Sequence, residues 1–387
     1  MAFLKDGEIN RPNDRNGFDI VIGNPPYFVI KSDIPFKNEY EKSYSELKSG
    51  RMNIYQIFFG LAERIIGKHG IISFIHPKTL LSDSYLSATR NYLLKRFNKI
   101  TVLNIVNRHD VFENVLQAVI VSVWQKYNEK LYRVAEIQKK SDLSETFYIE
   151  PGEKQFVDSE GKIIVSGSKT VYEILEKISQ LKTENLNFRT GAYEWNKLKD
   201  FLSAIQKKNS YRLIYGENIQ RFAFAESKKR ASTTFITDTS VMTLHSPAII
   251  TQRTTSSEQE WRIFATIVNP LEFDCALCTE NHTNVFEIKD SEKAKFYLGI
   301  LNSKLMDFYF RIFNSNTQVS SGELNSLPIF IASSAQQQPI IALVDKILAA
   351  KKADVGADTS ELEKQIDELV YDLYGLSENE RKIIDGR

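Results

Sequence analysis

The sequence predicts an α/β protein. Short apolar runs alternate with helical spacings over the first 130 residues. The first run, Phe18–Gly23, ends in Asn24-Pro25-Pro26-Tyr27, as a strand running into a rigid turn would. The composition, 42% hydrophobic and 26% charged, is that of an ordinary globular chain and leaves enough apolar mass for packed cores.

Phe18–Gly23 reads as a buried strand. Ile54, Ile57, Phe58, Leu61 and Ile65 recur at helical spacing over Asn53–Ile66, and Gly67 and Gly70 would stop that helix. Ile71–Ile75 reads as a second strand, closed by His76-Pro77, and Ser84–Phe97 as a second amphipathic helix. Lys99–Val106 and Ala118–Trp124 are further strands. This alternation predicts a mostly parallel sheet covered on both faces. Ligands of such sheets bind beyond the carboxyl ends of the strands, where Asn24 and His76 fall.

Residues 131–186 form a connector. Phe156–Val165 reads as a hairpin around Asp158–Gly161, and Ser168–Leu181 as a helix with Val171, Ile174, Leu175 and Ile178 on one face. Residues 187–335 mix short strands and helices, with a helix at Asn302–Phe313. Residues 336–387 predict two helices, Pro339–Lys352 and Ser360–Tyr374, the second opened by a capping box of Ser360 and Glu363.

Several classes are excluded. No run of eighteen apolar residues predicts a membrane span, and the polar start is no signal peptide. Cys275 and Cys278 are too few for a disulfide framework, which fits the cytoplasm. No two glycines flank a single residue, so neither a dinucleotide turn nor a P-loop is present. Cys275-x-x-Cys278 with His282 is read as buried thiols, and Asp158-x-Glu160-x-Lys162 as a turn, so no metal site is assigned.

The tetrapeptide carries the chemistry. An exocyclic amine on a base is a poor nucleophile, because its lone pair is delocalised into the ring. Two acceptors can hold the amine pyramidal and localise that pair. Asn24 offers a side-chain oxygen, and Pro25 offers a carbonyl whose direction the fixed φ angles of Pro25 and Pro26 restrain. Tyr27 supplies a ring for stacking, worth about 1–3 kcal/mol per base against an extrusion cost of the same order.

With these residues the chain resembles the amino-methyltransferases of restriction–modification systems, specifically the TaqI-like adenine-N6 group and the combined type IIG enzymes. Asn24-Pro25-Pro26-Tyr27 matches the family's catalytic motif. Asn53-Ile54-Tyr55-x-x-Phe58 and Gly70-Ile71-Ile72-Ser73-Phe74-Ile75-x-Pro77 are similar to the helix and strand that follow it. His109–Val115 is similar to the loop whose phenylalanine stacks on the flipped base, which implies Phe112 as a second ring opposite Tyr27. Asn218-Ile219-x-Arg221-Phe222, Ile249–Arg253, Leu298–Ser303 and Leu327-Pro328-Ile329 are similar, in order, to segments of the family's target-recognition domain.

The resemblance implies a partial Rossmann-like methyltransferase sheet over residues 1–130, a target-recognition domain over 187–335 and C-terminal helices. It implies S-adenosylmethionine as cofactor and double-stranded DNA as partner. The chain also departs from the family. A glycine-rich cofactor turn should precede the catalytic motif by many tens of residues, but only 23 residues precede Asn24 and no such turn exists. The first strands of the sheet are therefore expected to be missing, and the cofactor-binding residues with them. The expectation is a fragment, or a subunit completed by an N-terminal half or joined to a nuclease domain, that alone neither binds cofactor tightly nor methylates DNA. A DNA-binding specificity module is the alternative, and the motif also occurs in methyltransferases acting on glutamine or ribosomal RNA.

Formal net charge is only +1, so DNA affinity must come from local patches. Residues 193–230 hold nine basic and four acidic side chains with aromatics interleaved, which suits a phosphate-tracking surface. Lys207, Lys208, Arg212, Arg221, Lys228, Lys229 and Arg230 are its candidate contacts. Arg253 and Arg262 are candidates for base edges, since arginine pairs bidentately with guanine.

Overall fold

The computed structural model describes residues 4–5, 8–9, 17–31, 37–105, 118–137, 148–158, 161–194, 197, 199–237, 242–256, 259–314 and 317–386. The chain divides into two compact units, residues 1–173 with 312–316, and residues 174–311 with 317–387.

The first unit is built on a five-stranded sheet: β1 (Phe18–Gly23), β2 (Ile66–Pro77), β3 (Lys99–Ile105), β4 (Val119–Gln125) and β5 (Leu131–Ile137), in the order β1-β2-β4-β3-β5. The expected parallel sheet is in fact mixed. β1 runs parallel to β2 and β3 to β5, but β4 lies antiparallel between β2 and β3. An apolar run reads the same in either direction, so strand polarity was invisible in the sequence.

Coverage also differs from the expectation. Helices α1 (Ile54–Ile65) and α2 (Ser87–Arg96) pack on one face, against Ile72, Phe74, Ile100, Val102, Ile120 and Trp124. On the other face Ile71, Ile75, Leu103, Val121 and Val123 are only partly buried. Ile20 and Ile22 of β1 share that face and are 60% and 79% exposed. Among the described residues β1 is thus an edge strand, not a buried one, although its sequence has the unbroken apolar run of a strand with neighbours on both sides.

Local chemistry sets the helix ends. Asn53 caps α1 and Gln56 closes a capping box, its Oε1 accepting from the Asn53 amide at 2.6 Å. Gly67 and Gly70 do not follow the helix; they lie inside β2, where the register with β1 shifts. A Cβ on Gly70 would sit 2.7 Å from the Ile66 Cβ, so the close approach requires glycine. The expected helix over Ser84–Phe97 starts with a single 3₁₀ turn, Ser84–Leu86. The predicted hairpin contracts to one bridge, Val157 to Ile163, after a helical turn at Glu153–Phe156.

The second unit holds two four-stranded sheets. One comprises β7 (Leu202–Ser203), β8 (Tyr211–Ile214), β9 (Phe235–Ile236) and β12 (Leu277–Thr279), in the order β7-β9-β8-β12. The other comprises β6 (Arg189–Thr190), β10 (Ala248–Gln252), β11 (Ala265–Val268) and β13 (Thr283–Glu287), in the order β11-β10-β13-β6. Helices α3 (Ser291–Leu301), α4 (Lys304–Phe313), α5 (Ser334–Ala353), α6 (Ser360–Leu373) and α7 (Glu378–Asp385) follow. No amphipathic stripe marks α3 in the sequence, because its second half, Phe296–Leu301, is apolar and buried all round. The N-cap of α6 is Thr359, one residue before the expected Ser360, and its hydroxyl donates to Glu363 at 2.6 Å. Among the described residues no helix is long and apolar enough to cross a membrane.

Candidate active site at the end of the first strand

Asn24 and Pro25 follow the last residue of β1. Asn24 and Pro26 are exposed, Pro25 is buried and Tyr27 is partly buried. The chain beyond them is stitched to the start of α1. The Ile54 amide donates to the Phe28 carbonyl, the Ile30 amide donates to the Met52 carbonyl, both at 2.9 Å, and Val29 bridges Asn53. The turn is therefore held from both sides, by the ladder of β1 and by the cap of α1.

Tyr27 is fixed more tightly than its sequence position suggested. Its hydroxyl oxygen lies 2.7 Å from Asn24 Oδ1 and 3.0 Å from the Ile75 carbonyl oxygen near the end of β2. Its ring meets the buried Tyr55 ring edge-on, with centroids 6.3 Å apart. Burial pushes the Tyr27 hydroxyl pKa up to about 12. Next to Tyr27, Phe28 leaves nearly half its surface exposed, a ring that the sequence reading passed over.

His76, placed by the sequence just past a strand end, is instead part of β2 and fully buried behind this turn. Its Nε2 lies 2.7 Å from Ser122 Oγ and its Nδ1 3.0 Å from the Pro77 carbonyl oxygen. Trp124 Nε1 donates to the same Ser122 oxygen at 2.7 Å. One tautomer satisfies all of these: Nδ1 carries the hydrogen and Nε2 accepts from Ser122. Burial lowers the His76 pKa to about 4, so the ring is neutral at physiological pH. Two adjacent apolar walls, Phe58, Leu61 and Ile65 of α1 and Val21, Ile22 and Gly23 of β1, line a groove that opens beside Asn24 and Pro25.

Phe112 lies outside the described residues, as do Glu160 and Trp195.

The candidate basic surface separates into two kinds of residue. Arg221 is ion-paired with Glu363 at 2.7 Å, donates to the Asn302 carbonyl at 2.6 Å and lies 3.5 Å over the Trp261 ring. Arg212 pairs with Glu226, and Arg230 pairs with Glu217 at 2.9 Å. Arg253 donates to the Asn281 carbonyl at 2.9 Å, and Arg262 is wholly buried with its Nε on Thr255. All five arginines thus make contacts within the chain, and Arg262, wholly buried, cannot reach a base edge. Lys207, Lys208, Lys228 and Lys229 are exposed, and Lys229 lies 3.7 Å from the Glu217 carboxylate. Cys278 is buried and Cys275 partly so, and among the described residues no cluster of metal-binding side chains forms. Asp158 accepts from the Lys162 amide at 2.8 Å, as a turn residue does.

Comparison with known proteins agrees with the motif. The Eco57I restriction-modification methylase family model matches residues 2–112. Type II methyltransferase M.BsuBI of Bacillus subtilis is 25% identical over 343 residues, covering 84% of this chain and 67% of that protein. Type II methyltransferase M.PstI of Providencia stuartii is 25% identical over 335 residues, covering 80% and 64%. Among solved structures, the type IIL restriction-modification enzyme MmeI, in complex with DNA, superposes with a TM-score of 0.57 at 14% identity, covering 92% of this chain and 54% of that one. The chain is thus similar to restriction–modification methyltransferases and shares the fold of MmeI. It spans about two thirds of the length of the two methyltransferases and about half of MmeI.

Proposed function

We propose that this chain supplies the base-activating loop and the DNA-reading part of an adenine-N6 DNA methyltransferase. The observation that carries the reading is the Asn24–Tyr27 turn. A carboxamide and a proline carbonyl stand at the carboxyl end of β1, braced by α1 and by Tyr27. The oxygens of Asn24 and Pro25 accept the two hydrogens of an adenine amine and localise its lone pair. No strong base is needed, since the proton leaves after the methyl group has bonded. Tyr27 stacks on the extruded base, and Phe112 is the second ring by resemblance. Exposed lysines at 207, 208, 228 and 229 contact phosphates of duplex DNA. Duplex DNA as substrate makes the cytoplasm its place of work.

The methyl donor of this reading is S-adenosylmethionine, but the residues present do not fit it alone. The groove beside Asn24 is walled by apolar side chains and offers no carboxylate for a ribose. The bare edge of β1, with Ile20 and Ile22 exposed, supports a further segment that completes the sheet and grips the cofactor. Without that segment the chain acts as a DNA-binding module.

The test is transfer of labelled methyl from S-adenosylmethionine to duplex DNA, by the chain alone and with a segment carrying a glycine turn. N6-methyladenine formed only in the second case is expected. Label on cytosine, on protein or on RNA would refute the substrate assignment.

A further inference from the structure

The Tyr27 hydroxyl faces two acceptors and has one hydrogen. Its oxygen lies 2.7 Å from Asn24 Oδ1 and 3.0 Å from the Ile75 carbonyl oxygen. A phenol can donate fully to only one of them. In that state the Asn24 oxygen is engaged by Tyr27, and the outward atom of the carboxamide is Nδ2, a donor. A donor facing an amine that must itself donate is the wrong polarity for activation.

A half turn of the carboxamide exchanges Oδ1 and Nδ2 with little steric change, since the two ends are nearly the same size. Asn24 Nδ2 then donates to the Tyr27 oxygen, and Tyr27 donates its hydrogen to Ile75. The Tyr27 hydroxyl then both accepts and donates, and Oδ1 points outward beyond the strand end. The anchor is stiff. Ile75 sits in the β2–β4 ladder, paired with Val121, and the next residue, His76, is locked by Ser122. The Tyr27 ring is braced edge-on by Tyr55. The phenol is protonated at neutral pH, and burial holds it so further into alkali, so the donor to Ile75 persists.

We propose that Tyr27 is a positioning residue as well as a stacking surface: its hydroxyl, tethered to the Ile75 carbonyl, turns the Asn24 carboxamide so that the oxygen faces the amine to be alkylated. The identity of that amine rests on the methyltransferase reading above; the turning of the carboxamide does not. Stacking needs only the ring, so Tyr27→Phe separates the two duties.

The full chain, labelled with ¹⁵N at asparagine, is compared by NMR as wild type and as Tyr27→Phe, with Asn24→Ala identifying the Asn24 side-chain signals. In the wild type one carboxamide hydrogen is expected downfield and slow to exchange. In Tyr27→Phe, with the melting temperature checked for an intact fold, both hydrogens are expected to move to solvent-exposed values. Unchanged Asn24 signals would overturn the proposal. In the enzyme completed with a cofactor-binding segment, Tyr27→Phe should lower single-turnover methylation about ten-fold with DNA affinity unchanged, as expected for one lost orienting hydrogen bond. An undiminished rate would also overturn it. If even the completed wild-type enzyme methylates nothing, the functional reading fails, while the Asn24 signals still decide the orientation.

Discussion

The turn after β1 and the basic stretch of the second unit were both singled out from sequence, and folding treats them in opposite ways. The turn leaves Asn24 exposed, and its neighbours brace it. The basic stretch spends its arginines internally, on Glu363, Glu226 and Glu217, and leaves lysines outside. A motif with fixed order specifies geometry. A charge excess specifies only composition, and arginine's planar fork is the better partner for a partly buried carboxylate.

The sharpest way to break this contrast is at Arg221. If it is structural, Arg221→Ala leaves Glu363 without its counter-ion and removes the cation from the Trp261 ring. A loss on the order of 3 kcal/mol in the stability of the second unit is expected, read by chemical denaturation. A variant as stable as wild type but unable to bind DNA would return Arg221 to the surface.

The two units should also answer oppositely to pH. His76 has a folded pKa near 4, below its ordinary value of about 6.5. Between those values the unfolded chain binds more protons, so acidification from pH 7 to 4 should cost the first unit on the order of 3 kcal/mol. Asp367 is buried, and burial raises its pKa to about 6. Here the folded state binds more protons between about pH 4 and 6, so the second unit should lose stability as pH rises through that window. Glu217, Glu287 and Glu380 have lowered pKa values, so their contributions fade only below the ordinary carboxylate range. Hydrogen exchange followed in each unit from pH 4.5 to 7 checks both slopes. His76→Gln should flatten the first and Asp367→Asn the second.

The sequence reading did well where local chemistry is decisive. The bounds of β1, the helical spacing of α1 and the placing of Asn24 at a strand end all follow from neighbours in the chain. It failed where distant partners decide. β4 is antiparallel because of what lies beside it, and Ile20 is exposed because no strand lies outside β1 among the described residues. The locking of His76 was hidden because its partner Ser122 is 46 residues away. The Tyr27–Ile75 bond was hidden for the same reason: no spacing rule links a side chain to a main-chain oxygen 48 residues later.

The smallest expected effect concerns the lysines. Lys207→Ala with Lys208→Ala should leave stability unchanged, because both side chains are exposed. It should weaken DNA binding and reduce the slope of log affinity against log salt by about 2. An unchanged slope would place the DNA elsewhere.

The base-activating role of the turn is tested most directly by single-turnover methylation with Asn24→Ala, in the enzyme completed with its cofactor-binding segment. Loss of transfer to adenine by at least about a hundred-fold, with DNA binding and fold retained, is the predicted result. Transfer at the wild-type rate would show that the carboxamide does not activate the amine.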